Sequence, residues 1–257
     1  MKHLLIIIAF FAVFTVKGQE EETYDFSQEI KNYDISDLWT IKEINYEFEG
    51  DTTIIERAEP LGYIGDNYQR FYIHFISAIQ NPTNRIEYFI YGKTRVKTNI
   101  CPFQGMIKIK EAKAYVNSYT DTKQGFVTGE YEFFEDSDFK GTGTLSGTFI
   151  TNFYIDNSGK IRYDALEFIA DGFENNQFEG IWTSYKSKDS KKCNWGDFRI
   201  PDSSELDCGA GEFGVVDEYQ ANGWESYLSA FGIKVGDLTV EKARELENEK
   251  WWLDRKK

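Results

Sequence analysis

Few of the residues that do chemistry stand at spacings that would let them do it. Beyond the first eighteen residues the chain holds one histidine, His74. A Ser-His-Asp relay needs that residue aligned with an activated serine, and no Gly-x-Ser-x-Gly turn exists to present one. His74 therefore reads as a structural or surface side chain on a strand. Ser137 and Lys140 have the bare Ser-x-x-Lys spacing of acyl-transferring serines, without the companion motifs that give the spacing meaning. Asp136-x-Asp138 opens like a calcium loop, but its twelfth position is Gly147, where a bidentate carboxylate is required; a solvated acidic turn is the simpler reading. With 43 acidic residues, a carboxylate pair at glycosidase separation is a property of the fold and not of the sequence. Cys101, Cys193 and Cys208 have no histidine nearby to complete a zinc site. No catalytic residue, metal or cofactor is assigned, and enzymatic activity has no positive support.

The denser signal is aromatic. Phe149, Phe153, Tyr163, Trp182 and Trp195 lie on or just after the central strands, beside the small residues Gly143 and Gly147. Glycines on an inward strand face leave room for a ligand or for bulky neighbours. Small barrels are filled by their own side chains, so core packing is the plain expectation and a site for a sugar or flat hydrophobe the sharper one. The run Cys193–Pro201 adds Trp195, Asp197 and Arg199. Asp197 and Arg199 share parity and are expected to pair, with Trp195 stacked beneath the guanidinium. This run reads as a recognition loop or as a plug closing one end of a β domain. A Cys193–Cys208 disulfide would staple it, worth roughly 3 kcal/mol for a loop of this length, leaving Cys101 as a buried thiol; the other two pairings remain open.

The elements that must hold these residues are strands. Gly141–Ile155 (GTGTLSGTFITNFYI) alternates strictly, with Gly141, Gly143, Leu145, Gly147, Phe149, Thr151, Phe153 and Ile155 on one face. At about 3.3 Å per residue it would span roughly 50 Å, and a strand that long curves, bending at its glycines. Around it the pattern predicts a hairpin over Leu38–Phe48 and Thr52–Ala58, a loop over Glu59–Asn67, and a second hairpin over Tyr68–Ile79 and Arg85–Thr98. Shorter strands follow around Met106–Lys110 and Ala114–Tyr119, then Phe126–Glu135. Lys160–Ala170 changes apolar phase, predicting a bulge near Ala165–Leu166, and Phe178–Lys186 returns as a strand. From Lys188 the chain reads as loop, then as helices over Gly223–Phe231 and Thr239–Asp254, the latter capped by Thr239. The fold class is mainly β: a long-stranded antiparallel meander closing into a barrel or barrel-like sheet, with a C-terminal helical extension.

The GTGTLSGTF strand and the Phe178-Glu179-Gly180-Ile181-Trp182 segment resemble the calycin barrels, the lipocalin and avidin group, at the level of architecture. The lipocalin Gly-x-Trp of the first strand is absent, since Asp37 stands two residues before Trp39. The resemblance implies small-ligand binding and transfers no individual residue.

At the N-terminus, Met1–His3 and the apolar run Leu4–Val16 have the form of a signal peptide over residues 1–18, too short for the ~20 residues that span a bilayer. Its removal leaves 27 basic and 43 acidic residues, a net charge of −16 against −14 for the whole chain, which disfavours nucleic acid and anionic membranes. The expected organisation is an acidic, loosely packed tail over 19–37, a β domain over 38–200, and a loop with helices over 201–257. The sequence thus points to a secreted or periplasmic protein without stable membrane insertion. The expected role is binding of an unidentified ligand, small and amphipathic or sugar-like, through its aromatics or, alternatively, that of a structural or protein-interaction module of the cell envelope with a filled core.

Overall fold

The computed structural model of the chain describes residues 21–48, 51–118 and 122–253, with the side chains of residues 47, 48 and 51 left aside; the expected signal peptide lies outside them. Eight strands form a closed antiparallel ring: β4 (Leu61–Ile64), β5 (Gln69–Gln80), β6 (Glu87–Val96), β7 (Asn99–Tyr115), β8 (Lys123–Glu135), β9 (Gly143–Ile155), β11 (Asn175–Ser184) and β12 (Ser190–Asp197). Each pairs with the next, and β12 closes on β4 through Cys193↔Ile64 to Gly196↔Leu61. β1 (Thr23–Asp25) continues the wall beside the end of β7, and β10 (Ile161–Tyr163) does so beside the end of β9. A separate hairpin pairs β2 (Glu43–Phe48) with β3 (Asp51–Glu56). Period-two alternation places Leu145, Phe149 and Phe153 of β9 in the interior with Val127, Tyr131 and Phe133 of β8. The long antiparallel meander, its barrel closure and the C-terminal helices are as the sequence predicts.

Several boundaries differ, each for a physical reason. Leu38–Thr40 is not strand but lies in one turn of helix, α1 (Asp37–Thr40), which turns the adjacent Leu38 and Trp39 both into the core. The expected loop over Glu59–Asn67 contains β4. Its Gly62 marks close approach rather than a turn, since a Cβ there would meet the Trp195 Cβ at 2.9 Å and the Phe71 carbonyl at 3.0 Å. The two short strands after Cys101 are one seventeen-residue strand, β7, with a register shift between Ile109 and Glu111. The phase change after Tyr163 is no bulge: β10 ends there, and Ala165 and Leu166 are both buried in the turns beyond. The charged stretch after Lys188 holds β12, which is buried on both faces from Cys193 onward.

The N-terminal segment is not a loose tail. Phe26, Ile30, Ile35, Leu38 and Trp39 all belong to the main core, and Phe26 lies 5.8 Å from Phe153. Together they cover one end of the barrel. A second core lies on the outer side of β4 and β12, where Leu61 and Tyr63 meet Ile200, Leu206, Phe213, Val215, Trp224 and Leu228. Here pack α2 (Glu225–Ala230) and its partner α3 (Val240–Glu247), which Thr239 caps by accepting from the Lys242 N–H. α3 stops short of the expected Asp254, and the following residues run along the outside of β5. Three free cysteines replace the expected Cys193–Cys208 disulfide: Cys193 faces the barrel core, whereas Cys208 is exposed on the loop outside.

Candidate functional site

The unequal lengths of β4 and β5 decide where the wall opens. β4 pairs with β5 only through Tyr63↔Arg70 and Ile64↔Gln69, so from Phe71 onward β5 has no strand partner on that side. The gap is covered by α1, by the Glu56–Pro60 connection and by the C-terminal residues Lys250, Trp252 and Leu253. Beneath this cover lies a cavity of about 370 Å³ that enters the barrel. Its floor is Ile73, Phe75, Phe178 and Trp195. Phe178 and Trp195 stack at 4.9 Å with ring planes 12° apart, and Phe75 meets Phe178 edge-on at 5.8 Å, geometries that aromatic quadrupoles favour. Beyond this cavity, ring-on-ring contacts join Phe103, Tyr131 and Phe133 in the interior.

The mouth is polar. His74 points outward from β5 and its Nδ1 lies 2.9–3.0 Å from both oxygens of Glu59. A carboxylate only accepts, so Nδ1 carries the proton and donates. The imidazole is covered on one face by Trp252, at 3.8 Å and 12°. The Trp252 neighbour, Trp251, lies 5.0 Å from the Arg95 guanidinium, which in turn sits 3.8 Å from the Tyr72 ring. Arg70 is held by two bonds to Glu247, at 2.8 and 2.6 Å. Burial opposes the charge of Glu247, yet Arg70 and Ser226 hold its carboxyl below the ordinary value. These contacts fasten α3 and the residues after it to the outer wall beside the opening.

Behind the cavity a buried polar network ties the N-terminal segment to the barrel. Asp197 accepts from Arg57 Nε at 3.0 Å and Nη2 at 2.7 Å, from the Tyr163 hydroxyl at 2.9 Å and from Asn176 Nδ2 at 2.8 Å. Arg57 Nη1 also donates to the carbonyls of Trp39 and Ile41. Asn176 accepts from Thr151, whose hydroxyl oxygen accepts from the Trp39 indole. Burial works against the Arg57 charge, but Asp197, Tyr163 and Glu59 together raise its pKa above the ordinary value. Burial also pushes the Tyr163 hydroxyl well up, with Asp197 adding to the effect. Such a satisfied network fixes geometry rather than offering reactive groups.

At the opposite end Glu135 is buried inside the barrel. It accepts from Thr94 Oγ1 at 2.5 Å, from the Gly143 N–H at 2.9 Å and from Trp182 Nε1 at 2.9 Å. Burial raises its pKa above the ordinary value, and the three donors act against that rise.

Of the residues singled out as ligand-binding candidates, only Trp195 lines the cavity, joined there by His74, which the sequence read as structural. Phe149 stacks on Phe178 one ring further in, at 5.4 Å. Phe153 packs under the N-terminal segment, Tyr163 serves Asp197, and Trp182 serves Glu135. Gly143 and Gly147 leave no room for a ligand: a Cβ would meet the Thr183 carbonyl at 2.2 Å and the Glu179 carbonyl at 1.9 Å, respectively. The expected Asp197–Arg199 pair does not form. Asp197 turns inward to Arg57, while Arg199 binds Asp207 at 2.5 Å and the Gly211 carbonyl at 2.6 Å, so Trp195 does not lie beneath it. Sequence reasoning missed Phe178 as a lining residue, although its strand was read. It also missed Trp39, Arg57, Glu59 and Trp252, which reach the opening from segments far apart in the chain. His74 stood out only by being alone.

The chain was compared with protein-family models, curated proteins and solved structures, and no match was found among any of them.

Proposed function

We propose that this protein binds a small amphipathic molecule in the side cavity of its barrel. The observation that carries this reading is the pairing of an aromatic floor with a polar mouth in a space of about 370 Å³. That is within the ~300–1,000 Å³ common for small-molecule sites, which combine apolar lining with a few placed polar groups. The calycin resemblance points the same way, and a signal peptide would put the binding outside the cytoplasm. The test is thermal shift of the full chain against lipid, aromatic and glycan sets, repeated with Ala58→Trp. Ala58 is exposed at the mouth, so an indole there blocks entry without disturbing the core. A ligand that raises the Tm of the wild type and not of the variant supports the proposal. Absence of any shift across all sets, or a shift that Ala58→Trp leaves intact, overturns it.

A protein-interaction role has its own observation. On the outer wall the register sets Ile79 beside Phe89 and Phe89 beside Met106, and these side chains are 61 %, 49 % and 37 % exposed. Contiguous exposed apolar residues mark interaction faces. Pull-down from a cell-envelope fraction with and without Phe89→Asp separates this reading from the first.

A further inference from the structure

We infer that the ligand of the cavity is an aromatic acid: a flat ring body against Trp195 and Phe178, with an anionic head held at the mouth by Lys42 and Lys250. This rests on the reading of the cavity as a ligand site and adds the chemistry of what it takes.

The inference follows from which polar groups at the mouth remain unengaged. Asn176 is fully committed, its amide donating to the Leu38 carbonyl and Asp197 and accepting from Thr151. The Thr40 hydroxyl donates to the Ser36 carbonyl. His74 is joined to Glu59 and covered on a face by Trp252. The Arg57 guanidinium has four of its five N–H groups engaged with Asp197 and two carbonyls. Lys42 and Lys250, both exposed and both lining the cavity, have no acidic partner among the described residues. The acid left over is Glu56, exposed at the same rim. Two lysines and the last guanidinium N–H are donors only, so an acceptor head with negative charge complements them. Within a chain of net charge −14, such an unpaired basic pair runs against the surrounding field.

The body of the ligand follows from the floor. Phe178 already carries Trp195 and Phe149 stacked on its two faces, so the floor meets a ligand with ring edges, while Phe75 and the Trp252 ring at the mouth flank the space. A flat ring packs edge-to-face against such groups. A volume near the lower end of the usual range suits a body of about two or three rings better than a long acyl chain or an oligosaccharide.

The experiment titrates the full chain with three probes of one shape and different charge: 2-naphthoate, 2-naphthamide and 2-naphthylmethylammonium, by calorimetry. The wild type is compared with Lys42→Gln/Lys250→Gln and Lys42→Glu/Lys250→Glu; both positions are exposed, and an unchanged Tm verifies the fold. The expected result is naphthoate binding at least tenfold tighter than the amide. That preference should fall to within twofold in the glutamine variant, with amide affinity unchanged, and should turn toward the ammonium probe in the glutamate variant. Equal binding of all three probes to the wild type, or a naphthoate preference that survives the glutamine variant, overturns the charge assignment and leaves the cavity reading standing. Binding of none of the three overturns the assignment and counts against the cavity reading as well.

Discussion

Glu135 and Asp197 are both buried carboxylates on inward strand faces, and their surroundings give them opposite characters. Asp197 is matched to a guanidinium, whereas Glu135 meets only neutral donors. Its raised pKa means the folded state holds the proton more tightly than the unfolded chain, whose carboxyl titrates near the ordinary 4.5. The stability linked to this group is fully present below about pH 4.5 and is lost as pH rises through the folded-state value. Glu135→Gln is expected to remove that dependence at little cost. The amide oxygen replaces the acceptor facing Trp182 and Gly143, and the amide nitrogen donates to a Thr94 hydroxyl that can turn round. Glu135→Leu leaves the indole and the Gly143 N–H without acceptors and is expected to destabilise by about 2–4 kcal/mol. Urea denaturation of the three proteins between pH 4.5 and 8 measures both effects. A wild-type stability that rose across that range relative to Glu135→Gln would contradict the linkage.

At the level of elements, β9 is one of the long strands of the ring. The sequence shows that this strand is long and one-sided, and the structure agrees. It does not show whether the glycine spaces are open, because that depends on how closely β11 approaches. Gly147 stands opposite Gly180, and its missing Cβ is replaced by the Glu179 carbonyl of the neighbouring strand. Gly147→Ala is expected to cost about 1–3 kcal/mol or more through overpacking, while Ser146→Ala, on the exposed outer face, stays within about 0.5 kcal/mol. Chemical denaturation of the two variants tests this, and a tolerated alanine at 147 would show that the strands can part. β12 teaches the converse. Its three leading residues, Ser190, Lys191 and Lys192, are exposed, and the rest is buried on both faces. That pattern erases the alternation by which a strand is recognised in sequence.

For the whole molecule, closure by β12 on β4 decides the state of the cysteines. Cys193 becomes an inward residue of the closing strand and cannot reach Cys208, which is exposed. Burial pushes the Cys101 thiol up to about 11 and the Cys193 thiol well above its ordinary value, so both are poor nucleophiles. Titration with a thiol reagent, without prior reduction, is expected to modify Cys208 rapidly in the folded protein and all three cysteines after denaturation. Finding a single thiol in the denatured, unreduced chain would establish a disulfide and contradict the arrangement.

What the amino-acid sequence determined by itself was everything carried by local periodicity and composition. That includes the β class, the long meander around Gly141–Ile155, the hairpins and the C-terminal helices, because period-two burial and turn chemistry act between near neighbours. The tertiary structure alone decided what depends on distant segments meeting. β4 is too short to accompany β5, so the wall parts beyond Phe71. Arg57, His74, Trp195 and Trp252, spread over nearly two hundred positions, then converge on that gap, and no local pattern records a meeting that only the closing of the ring brings about.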